Sequence, residues 1–436
     1  MSLTFKGGVH PDDSKTLTEN KPIEMLPPPA KVILPVSMHI GAPCQPTVAV
    51  GDHVLMGQVV ASSPAAVSAP VHATVSGTVT SVGPMLHPNG GKVNAVVIEN
   101  DMLDELDPSV KPIDYSSMTS EQMIECIHQA GIVGHGGAAF PTHIKLSSAI
   151  GKVDTLIVNA AECEPFLTSD HRLLLEGPDE IVQGVLILLR ILGIKNAMIG
   201  VEANKSNAFA GIEKCLPSDG SIRLVPLKTK YPQGAEKQLI KSLTGREVPS
   251  GKLPADAMCV VCNADTCGSI YRLFSKGLPM MRRIVTVSGP DIAVPKNLSV
   301  RIGTPIADLI AFCGGFKEPP TKLLMGGPMM GTSLFSDEVP VIKGTNGILA
   351  FAEKKPLHLP EPKCIRCGRC VEDCPMGLMP TYIYQSFMAD RMDECKSYSP
   401  LDCIECGVCS YTCPAKIPLT QGIRTAKQQI IAASRK

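Results

Sequence analysis

The sequence predicts a multidomain α/β protein, and three patterns along its 436 residues support that class. Strand-like and helix-like segments alternate between residues 112 and 280, which indicates a parallel sheet covered by helices. Short alternating runs rich in Val, Gly and Pro on both sides of that stretch indicate two smaller β-rich units. Two dense runs of cysteine follow near the end of the sequence. At about 100 to 200 residues per domain, three or four domains are expected.

The composition excludes several classes of partner. Lys plus Arg and Asp plus Glu number 41 each, so the formal charge balances and no nucleic-acid partner is expected. Tryptophan is absent and aromatic residues make up only 4%, which argues against base-stacking platforms. The most apolar stretch, residues 185–194, is about half as long as a membrane-spanning helix. Since no secretory signal is visible, we expect a soluble chain that can still lie on a membrane complex.

Seventeen cysteines without an export signal favour metal or cluster ligation over disulfides. Eight of them form two runs with the spacing C-x2-C-x2-C-x3-C-P, which is that of bacterial two-cluster ferredoxins. In that pattern three cysteines of a run hold one [4Fe-4S] cluster and the fourth reaches the other cluster. The spacing predicts the ligands Cys364, Cys367, Cys370 and Cys413 for cluster one and Cys403, Cys406, Cys409 and Cys374 for cluster two.

Zinc is the alternative for these cysteines, but structural zinc draws on well-separated ligand pairs rather than four cysteines in one short run. The duplicated run, with Pro375 and Pro414 after the fourth cysteines, favours clusters and predicts a ferredoxin-like helical domain at residues 353–436. Cys395, between the runs, is interpreted as a plain buried cysteine. Clusters carry single electrons, so a donor or acceptor must be sought upstream.

An α/β domain is predicted at residues 112–280. It begins with a helix near Thr119, where Gln122 completes a capping box. The glycine-rich segment that follows, residues 131–142, either points backbone N–H groups at a phosphate or forms a tight structural turn. The turn at residues 159–165 follows the first predicted strand, where parallel sheets bind ligands. Its two carboxylates beside a cysteine favour ligand contacts over a solvated surface.

Three further cysteines, Cys259, Cys262 and Cys267, suggest a metal site at first sight. Residues 258–262 are apolar, however, and predict a buried strand. Buried cysteine behaves as a small apolar residue. We therefore interpret these cysteines as part of the core.

Four segments of the α/β domain resemble the NADH-oxidising flavoprotein subunit of respiratory complex I. They are the glycine loop with the lysine behind it, the turn after the first strand, and the later motifs Tyr-Pro-Gln-Gly-Ala-Glu and Asn-Ala-Asp-Thr, in the same order. The resemblance to the C subunit of bacterial Rnf complexes is closer and covers essentially the whole chain. It includes residues 5–11, 326–331, 340–344 and 364–370.

The resemblance implies that the α/β domain is Rossmann-like and binds FMN, with the flavin phosphate near the glycine loop. The residues it implies for FMN are Gly134, Gly136, Gly137, Lys145, Asn159, Glu162, Tyr231, Asn263 and Thr266. Those it implies towards the nicotinamide nucleotide are Phe140, Glu164 and Glu236. His135, Ala139, Ala161 and Ala235 depart from the complex I pattern, so flavin binding is implied more closely than the nucleotide contacts.

The flanking units also resemble known modules. After an N-terminal extension at residues 1–29, residues 30–102 resemble the barrel-sandwich hybrid of biotinyl and lipoyl carriers. This unit lacks the hairpin-tip lysine of a working carrier, so a docking or structural role is expected. Residues 281–352 resemble a soluble-ligand-binding β-grasp domain, for which a spacer role is favoured over ligand binding. Residues 355–362 are expected to form a proline-rich linker.

A flavin beside iron–sulfur clusters converts between hydride transfer, which moves two electrons, and cluster reduction, which moves one. The predicted function is therefore electron exchange between NAD(H) and two [4Fe-4S] clusters through FMN. By resemblance, this chain lies peripherally on the cytoplasmic face of the cell membrane, and electrons run from reduced ferredoxin to NAD⁺. The implied partners are other Rnf subunits, namely the iron–sulfur RnfB protein and the membrane proteins RnfD and RnfG, with movement of Na⁺ or H⁺.

Two alternatives stay open at this point. A soluble NADH-dependent cobalamin reductase shares the flavin loop and both cluster runs, but it lacks the N-terminal carrier-like unit. NADH-driven cobalamin reduction would favour it. A non-catalytic assembly scaffold with a degenerate flavin site is disfavoured by Lys145, Asn159 and Glu162. The absence of FMN from anaerobically purified protein would favour the scaffold.

Overall fold

The computed structural model describes residues 3–136, 138–352 and 363–434. Gly137 and the linker predicted at residues 355–362 lie outside the described residues. The chain begins with a segment that we call the N-terminal arm, residues 3–29. The arm contains a 3₁₀ turn at Lys15–Leu17 and one short strand, β1 (Ile23–Met25).

The strands from residue 31 to residue 100 form the antiparallel domain, which consists of two small sheets. Its strands are β2 (Lys31–Pro35), β3 (Gln45–Pro46), β4 (His53–Val54), β5 (Val59–Ser62), β6 (Val71–His72), β7 (Gly77–Leu86) and β8 (Lys92–Asn100). One sheet has the order β2-β8-β7-β4 and the other β3-β5-β6, with all neighbours antiparallel. Alternate valines, such as Val32 and Val79, point inward and are fully buried, because successive strand residues face opposite sides of a sheet.

The elements from residue 120 to residue 276 form the parallel-sheet domain. Its elements are α1 (Ser120–Gln129), α2 (Thr142–Ala149), β9 (Thr155–Ala160), α3 (Ser169–Glu176), α4 (Pro178–Leu192), β10 (Ala197–Glu202), α5 (Phe209–Cys215), β11 (Ile222–Leu227), α6 (Glu236–Thr244), β12 (Cys259–Asn263) and α7 (Ala264–Lys276). Two 3₁₀ segments, Ala203–Ala208 and Pro254–Ala257, lie between them. The strands are all parallel in the order β11-β10-β9-β12.

Local sequence explains how this domain begins and packs. The capping box predicted at the start of α1 is confirmed, because Thr119 and Gln122 exchange side-chain to backbone hydrogen bonds of 3.3 and 2.9 Å. Helices α4 and α7 cross closely at Gly184, where a Cβ atom would lie 1.9 Å from the carbonyl oxygen of Cys267. Cys267 is therefore buried at a helix contact, as predicted.

The elements from residue 282 to residue 351 form the mixed-sheet domain. Its elements are β13 (Arg282–Ser288), β14 (Lys296–Arg301), α8 (Ile306–Phe312), β15 (Lys322–Met325), β16 (Thr332–Leu334) and β17 (Gly347–Phe351). The sheet order is β1-β14-β13-β17-β15-β16. Strand β1 of the arm pairs with β14 in parallel, so the predicted extension is partly built into this sheet.

Residues 363–434 form the cysteine domain, which is helical. Its helices are α9 (Arg369–Glu372), α10 (Pro380–Met388), α11 (Met392–Ser397), α12 (Val408–Thr412) and α13 (Leu419–Ser434), with a 3₁₀ turn at Pro400–Asp402. Cys395 is fully buried, as predicted. The predicted multidomain α/β class is confirmed, and no helix in the described ranges is long and apolar enough to cross a membrane.

Candidate functional site

The predicted flavin residues gather at the carboxyl end of the parallel sheet. Asn159 on β9 and Asn263 on β12 are register partners at that edge. The amide of Asn159 donates to the carbonyl oxygen of Gly234 at 2.7 Å, which holds the turn with Tyr231 against the sheet. The amide of Asn263 donates to Asp170 at 2.7 Å while its oxygen caps α7. Ligand-binding crevices of parallel α/β sheets lie at such strand ends.

The glycine loop lies over this edge. Gly134 N–H donates to the carbonyl oxygen of Phe140 at 2.9 Å, which closes the loop, and His135 N–H donates to Thr266 Oγ1 at 3.0 Å. A Cβ atom at Gly136 would lie 3.5 Å from the Asn263 side chain, so the loop backbone rests on that residue. The tip of the loop at Gly136 is exposed. Exposed backbone N–H groups in such a loop can face a phosphate.

A buried charge network fixes the base of the loop. Asp265 accepts from His135 Nδ1 at 2.7 Å, from Arg283 at 2.7 Å and from Arg272 at 2.9 Å. Burial and the nearby Arg283 lower the pKa of His135 to about 4, so its ring is neutral at pH 7. The cations and His135 outweigh burial at Asp265 and hold the pKa of this carboxyl well below its usual range. Sequence reasoning missed Asp265 and Arg283, and the only available signal was the aspartate inside the Asn-Ala-Asp-Thr motif.

Lys145 and Glu236 lie together at one side of the loop. Lys145 Nζ donates to Glu236 at 3.0 Å and to the carbonyl oxygen of Val261 at 2.9 Å. Both side chains keep about a third of their surface exposed, at 32% and 40%. The pair is thus a partly open cation and anion at the crevice, while phosphate and nucleotide contacts by these residues stay predictions.

The Glu162 side chain has a structural task in the turn after β9. Its carboxylate accepts from Ser169 Oγ at 3.2 Å, Asp170 N at 2.7 Å and His171 N at 3.1 Å, which caps the N-terminus of α3. The residue itself has φ of 45°, so the turn bends sharply here. The three hydrogen bonds show that the Glu162 carboxylate stabilises the start of α3. A flavin contact by Glu162 stays a prediction.

Glu164 and Tyr231 connect this turn with two other domains. The Glu164 carboxylate accepts the backbone N–H groups of Met329 and Met330 in the mixed-sheet domain at 3.0 and 2.9 Å. Tyr231 OH donates to the carbonyl oxygen of Cys406 at 2.8 Å. Burial raises the pKa of Glu164 to about 6, against the opposing effect of the two N–H groups. The structure therefore gives Glu164 an interdomain contact, while a contact with the nucleotide stays a prediction.

The predicted ligands of cluster two surround one cavity. Its lining includes all four of Cys374, Cys403, Cys406 and Cys409. Backbone N–H groups of Leu378 and Glu405 point at the sulfurs of Cys374 and Cys403, at 3.4 Å each. Burial raises the pKa of the Cys406 thiol to about 12. Four converging sulfurs in a small cavity fit a [4Fe-4S] cluster.

The predicted ligands of cluster one form a second group in the cysteine domain. Burial raises the pKa of Cys370, and the nearby thiols of Cys413, Cys364 and Cys367 add to that effect. The fourth cysteine of the second run therefore lies with the first three of the first run. Thr381 Oγ1 is 3.6 Å from the sulfur of Cys364. Cys367 is exposed, unlike any ligand of the cluster-two set.

Comparison with known proteins accounts for every domain. The Nuo51 FMN-binding domain matches residues 127–272, and the RnfC barrel sandwich hybrid domain matches residues 3–103. The SLBB domain matches residues 284–333 and the 4Fe-4S dicluster domain matches residues 363–417. The likeness to an NAD⁺-reducing [NiFe]-hydrogenase structure has a TM-score of 0.51 at 17% identity, covering 71% of this chain and 62% of that one, and concerns the fold alone.

Relatives match along almost the whole sequence. The C subunit of the proton-translocating ferredoxin:NAD(+) oxidoreductase complex of Clostridium ljungdahlii is 47% identical over 436 residues, which is 99% of this chain and 95% of the relative. The C subunit of the Na(+)-translocating complex of Acetobacterium woodii is 46% identical, with 99% and 98% covered. The C subunit of the ion-translocating oxidoreductase complex of Rhodobacter capsulatus is 41% identical, with 99% and 84% covered. The resemblance stated from the motifs is thereby confirmed, and the chain belongs to the RnfC family of Rnf complex subunits.

Proposed function

We propose that this chain exchanges electrons between NAD(H) and two [4Fe-4S] clusters through FMN, as a subunit of a ferredoxin:NAD⁺ oxidoreductase complex. The observation that carries the proposal is the hydrogen bond from Tyr231 OH to the carbonyl oxygen of Cys406. It joins a predicted flavin residue to a predicted ligand of cluster two. The predicted flavin crevice and the cavity of cluster two are therefore adjacent, with the Tyr231–Cys406 contact between them.

The same contact supports an order for the clusters. Tyr231 and Cys406 are both buried, and Cys163 and Met329 pack against them. In the first cysteine run, by contrast, Cys367 is exposed. Cluster two therefore serves as the neighbour of the flavin, and cluster one as the contact with other subunits.

FMN, when bound, supplies the conversion between hydride and single-electron chemistry. The chain's own residues bind and orient the FMN and the nicotinamide nucleotide. The glycine loop with Gly134, Gly136 and Gly137 is assigned to the phosphate, and Lys145 offers it a cation. The residues assigned to the flavin side of the crevice are Asn159, Glu162, Tyr231, Asn263 and Thr266, and those assigned to the nucleotide are Phe140, Glu164 and Glu236.

The proposed function also assigns a role to each domain, a set of partner subunits and a location. The parallel-sheet domain acts as a Rossmann-like FMN/NADH domain, the mixed-sheet domain as a β-grasp spacer and the antiparallel domain as a docking element. The partners are the iron–sulfur RnfB protein and the membrane proteins RnfD and RnfG, and the chain sits peripherally on the cytoplasmic face of the membrane. Nothing in the site favours cobalamin reduction as a second function.

Anaerobic purification followed by iron, sulfide and FMN analysis tests the cofactors, and NADH titration followed by electron paramagnetic resonance tests the path. We expect both clusters to be reduced by NADH through bound FMN. Failure of NADH to reduce either cluster, or iron near zero, would contradict the proposal.

A matched pair of variants tests the assignment of Lys145 to the flavin phosphate. Lys145→Met should weaken FMN binding by roughly 10- to 100-fold, the value of one charge-assisted hydrogen bond. Lys152→Met is the control, because Lys152 is exposed just beyond α2. FMN fluorescence quenching on titration of the apoprotein measures both affinities. Equal affinities would remove Lys145 from the site.

A further inference from the structure

The N-terminal arm crosses the junction between the parallel-sheet domain and the cysteine domain. Val9 and Tyr231 exchange both of their backbone hydrogen bonds, at 2.8 and 2.9 Å. Gly8 N–H donates to the carbonyl oxygen of Asp373 at 2.7 Å, directly before the predicted cluster-two ligand Cys374. The arm therefore forms backbone hydrogen bonds both with the Tyr231 segment at the predicted crevice and with the segment before Cys374 at the cavity of cluster two.

The arm fits this junction only because two of its residues are glycine. Gly7 and Gly8 have φ of 76° and 78°, in the region that L side chains rarely adopt. A Cβ atom at Gly7 would lie 2.8 Å from the carbonyl oxygen of Cys374, and one at Gly8 would lie 2.5 Å from that of Tyr231. The backbone is thus in direct contact with both partners.

Lys15 anchors the other end of this part of the arm. Its side chain is buried at 2% exposure, and Nζ donates to the carbonyl oxygens of Glu162 and Glu164 at 3.0 Å each and to that of Leu167. An ammonium group has three donors and no acceptor, so three carbonyls satisfy it completely. Asp13 adds a contact in the opposite direction, since its carbonyl oxygen accepts Phe166 N–H at 2.8 Å.

A lysine is buried without a large cost in free energy only where it is fully paired. Lys15 therefore depends on the 162–167 turn, which holds its three carbonyl partners in place. The turn in question bears Glu162 and Glu164 and lies at the crevice. Glu164 in turn holds the loop of Met329 that packs beside Cys406. The arm, the turn and the cluster loop therefore form one continuous set of contacts.

We propose that the N-terminal arm is a positioning device for electron transfer, with Lys15 holding the 162–167 turn and Gly8 holding the cluster-two loop at a fixed separation. This inference rests on the proposed function. Each oxidised cluster takes one electron from the reduced flavin, and the NADH hydride supplies two. Electron transfer slows with distance, so a loose junction slows the step from flavin to cluster more than it slows the hydride step.

Stopped-flow mixing of the cluster-loaded flavoprotein with NADH separates these two steps, because flavin bleaching and cluster reduction are followed independently. Lys15→Met and Gly8→Ala should slow flavin bleaching less than they slow cluster reduction. They should slow cluster reduction several-fold, because electron transfer slows as the distance between the two cofactors increases. Lys6→Met is the matched control, since Lys6 is exposed on the same arm, and it should behave as the wild type.

Hydrogen exchange gives a second readout that does not depend on loaded cofactors. In the apoprotein of either variant, the backbone amides of Tyr231, Met329 and Met330 should exchange faster than in the wild type or in Lys6→Met. Cluster reduction and amide exchange at wild-type rates in both variants would overturn the proposal. A loss confined to flavin bleaching would also overturn it. If NADH does not bleach the wild-type flavin, the proposed function fails instead, and the exchange data still decide whether the arm holds the junction.

Discussion

The two cysteine loops have nearly the same backbone and very different surroundings. Gly368 and Gly407 have φ of 80° and 81°, and Arg366 and Glu405, two residues earlier, have φ of 55° and 56°. A Cβ atom at Gly368 would meet nothing within 4 Å, whereas one at Gly407 would lie 2.9 Å from the carbonyl oxygen of Met329. The spacing of the cysteines therefore determines the backbone of each loop, and tertiary packing determines that the second loop lies against Met329 while the first does not.

The largest expected effect comes from removing one ligand from each loop. Cys406→Ser should lose cluster two, so that NADH reduces the flavin but cluster one is no longer reduced. Cys367→Ser should lose cluster one and leave NADH reduction of cluster two intact. Electron paramagnetic resonance of the NADH-reduced variants measures this, with dithionite reduction as the control for the remaining cluster. Equal reduction of the remaining cluster by NADH in both variants would refute the order of the clusters.

The glycine pair tests the packing difference through stability. Gly368→Ala should lower the free energy of unfolding by about 1–2 kcal/mol, because a residue with a Cβ atom is strained in the left-handed conformation. Gly407→Ala should cost about 1–3 kcal/mol more, because its Cβ atom also overlaps Met329. Chemical unfolding of the cluster-loaded protein measures both. Equal losses would mean that the second loop is no more tightly packed than the first.

The sequence predicted which cysteines and which strand-end residues lie together, because cysteine spacing and strand ends are local patterns. Cys374 and Cys413 exchange loops as the ferredoxin spacing required. Lys15 gave no such signal, since its partners are backbone carbonyls about 150 residues away. The link from Glu164 to Met329 was hidden for the same reason. Contacts that use main-chain atoms across long separations leave no residue pattern to recognise.

The tyrosine contact gives a third test of the comparison. Tyr231→Phe removes the donor to the Cys406 carbonyl and should cost about 1–3 kcal/mol, the penalty for a buried acceptor left unsatisfied. Tyr382→Phe, in the exposed part of α10, should change the unfolding free energy by less than about 0.5 kcal/mol. Denaturant titration of both variants provides the measurement. A Tyr231→Phe protein as stable as wild type would show that the hydroxyl does not hold the two domains together.

The smallest expected effect is a pH dependence on the flavin side of the junction. Burial raises the pKa of Glu164 to about 6, above the usual 4.5 of an unfolded chain. The folded protein therefore retains a proton that the unfolded chain has lost, so this contribution to stability is present below pH 4.5 and is lost as the pH rises through 6. Relative to Glu164→Gln, the wild type should gain roughly 1 kcal/mol of unfolding free energy as the pH falls from about 7.5 to about 5.5.

Glu372→Gln is the control for this measurement, because Glu372 is exposed on α9 in the first cysteine run. Unfolding is followed by denaturant titration at each pH. If Glu164→Gln and Glu372→Gln give parallel profiles, the Glu164 carboxyl is open to water, and the junction beside cluster two is no better sealed than the loop around cluster one. A profile that flattens only in Glu164→Gln would show that the flavin side is the desolvated one, as the contacts with Met329 and Met330 require.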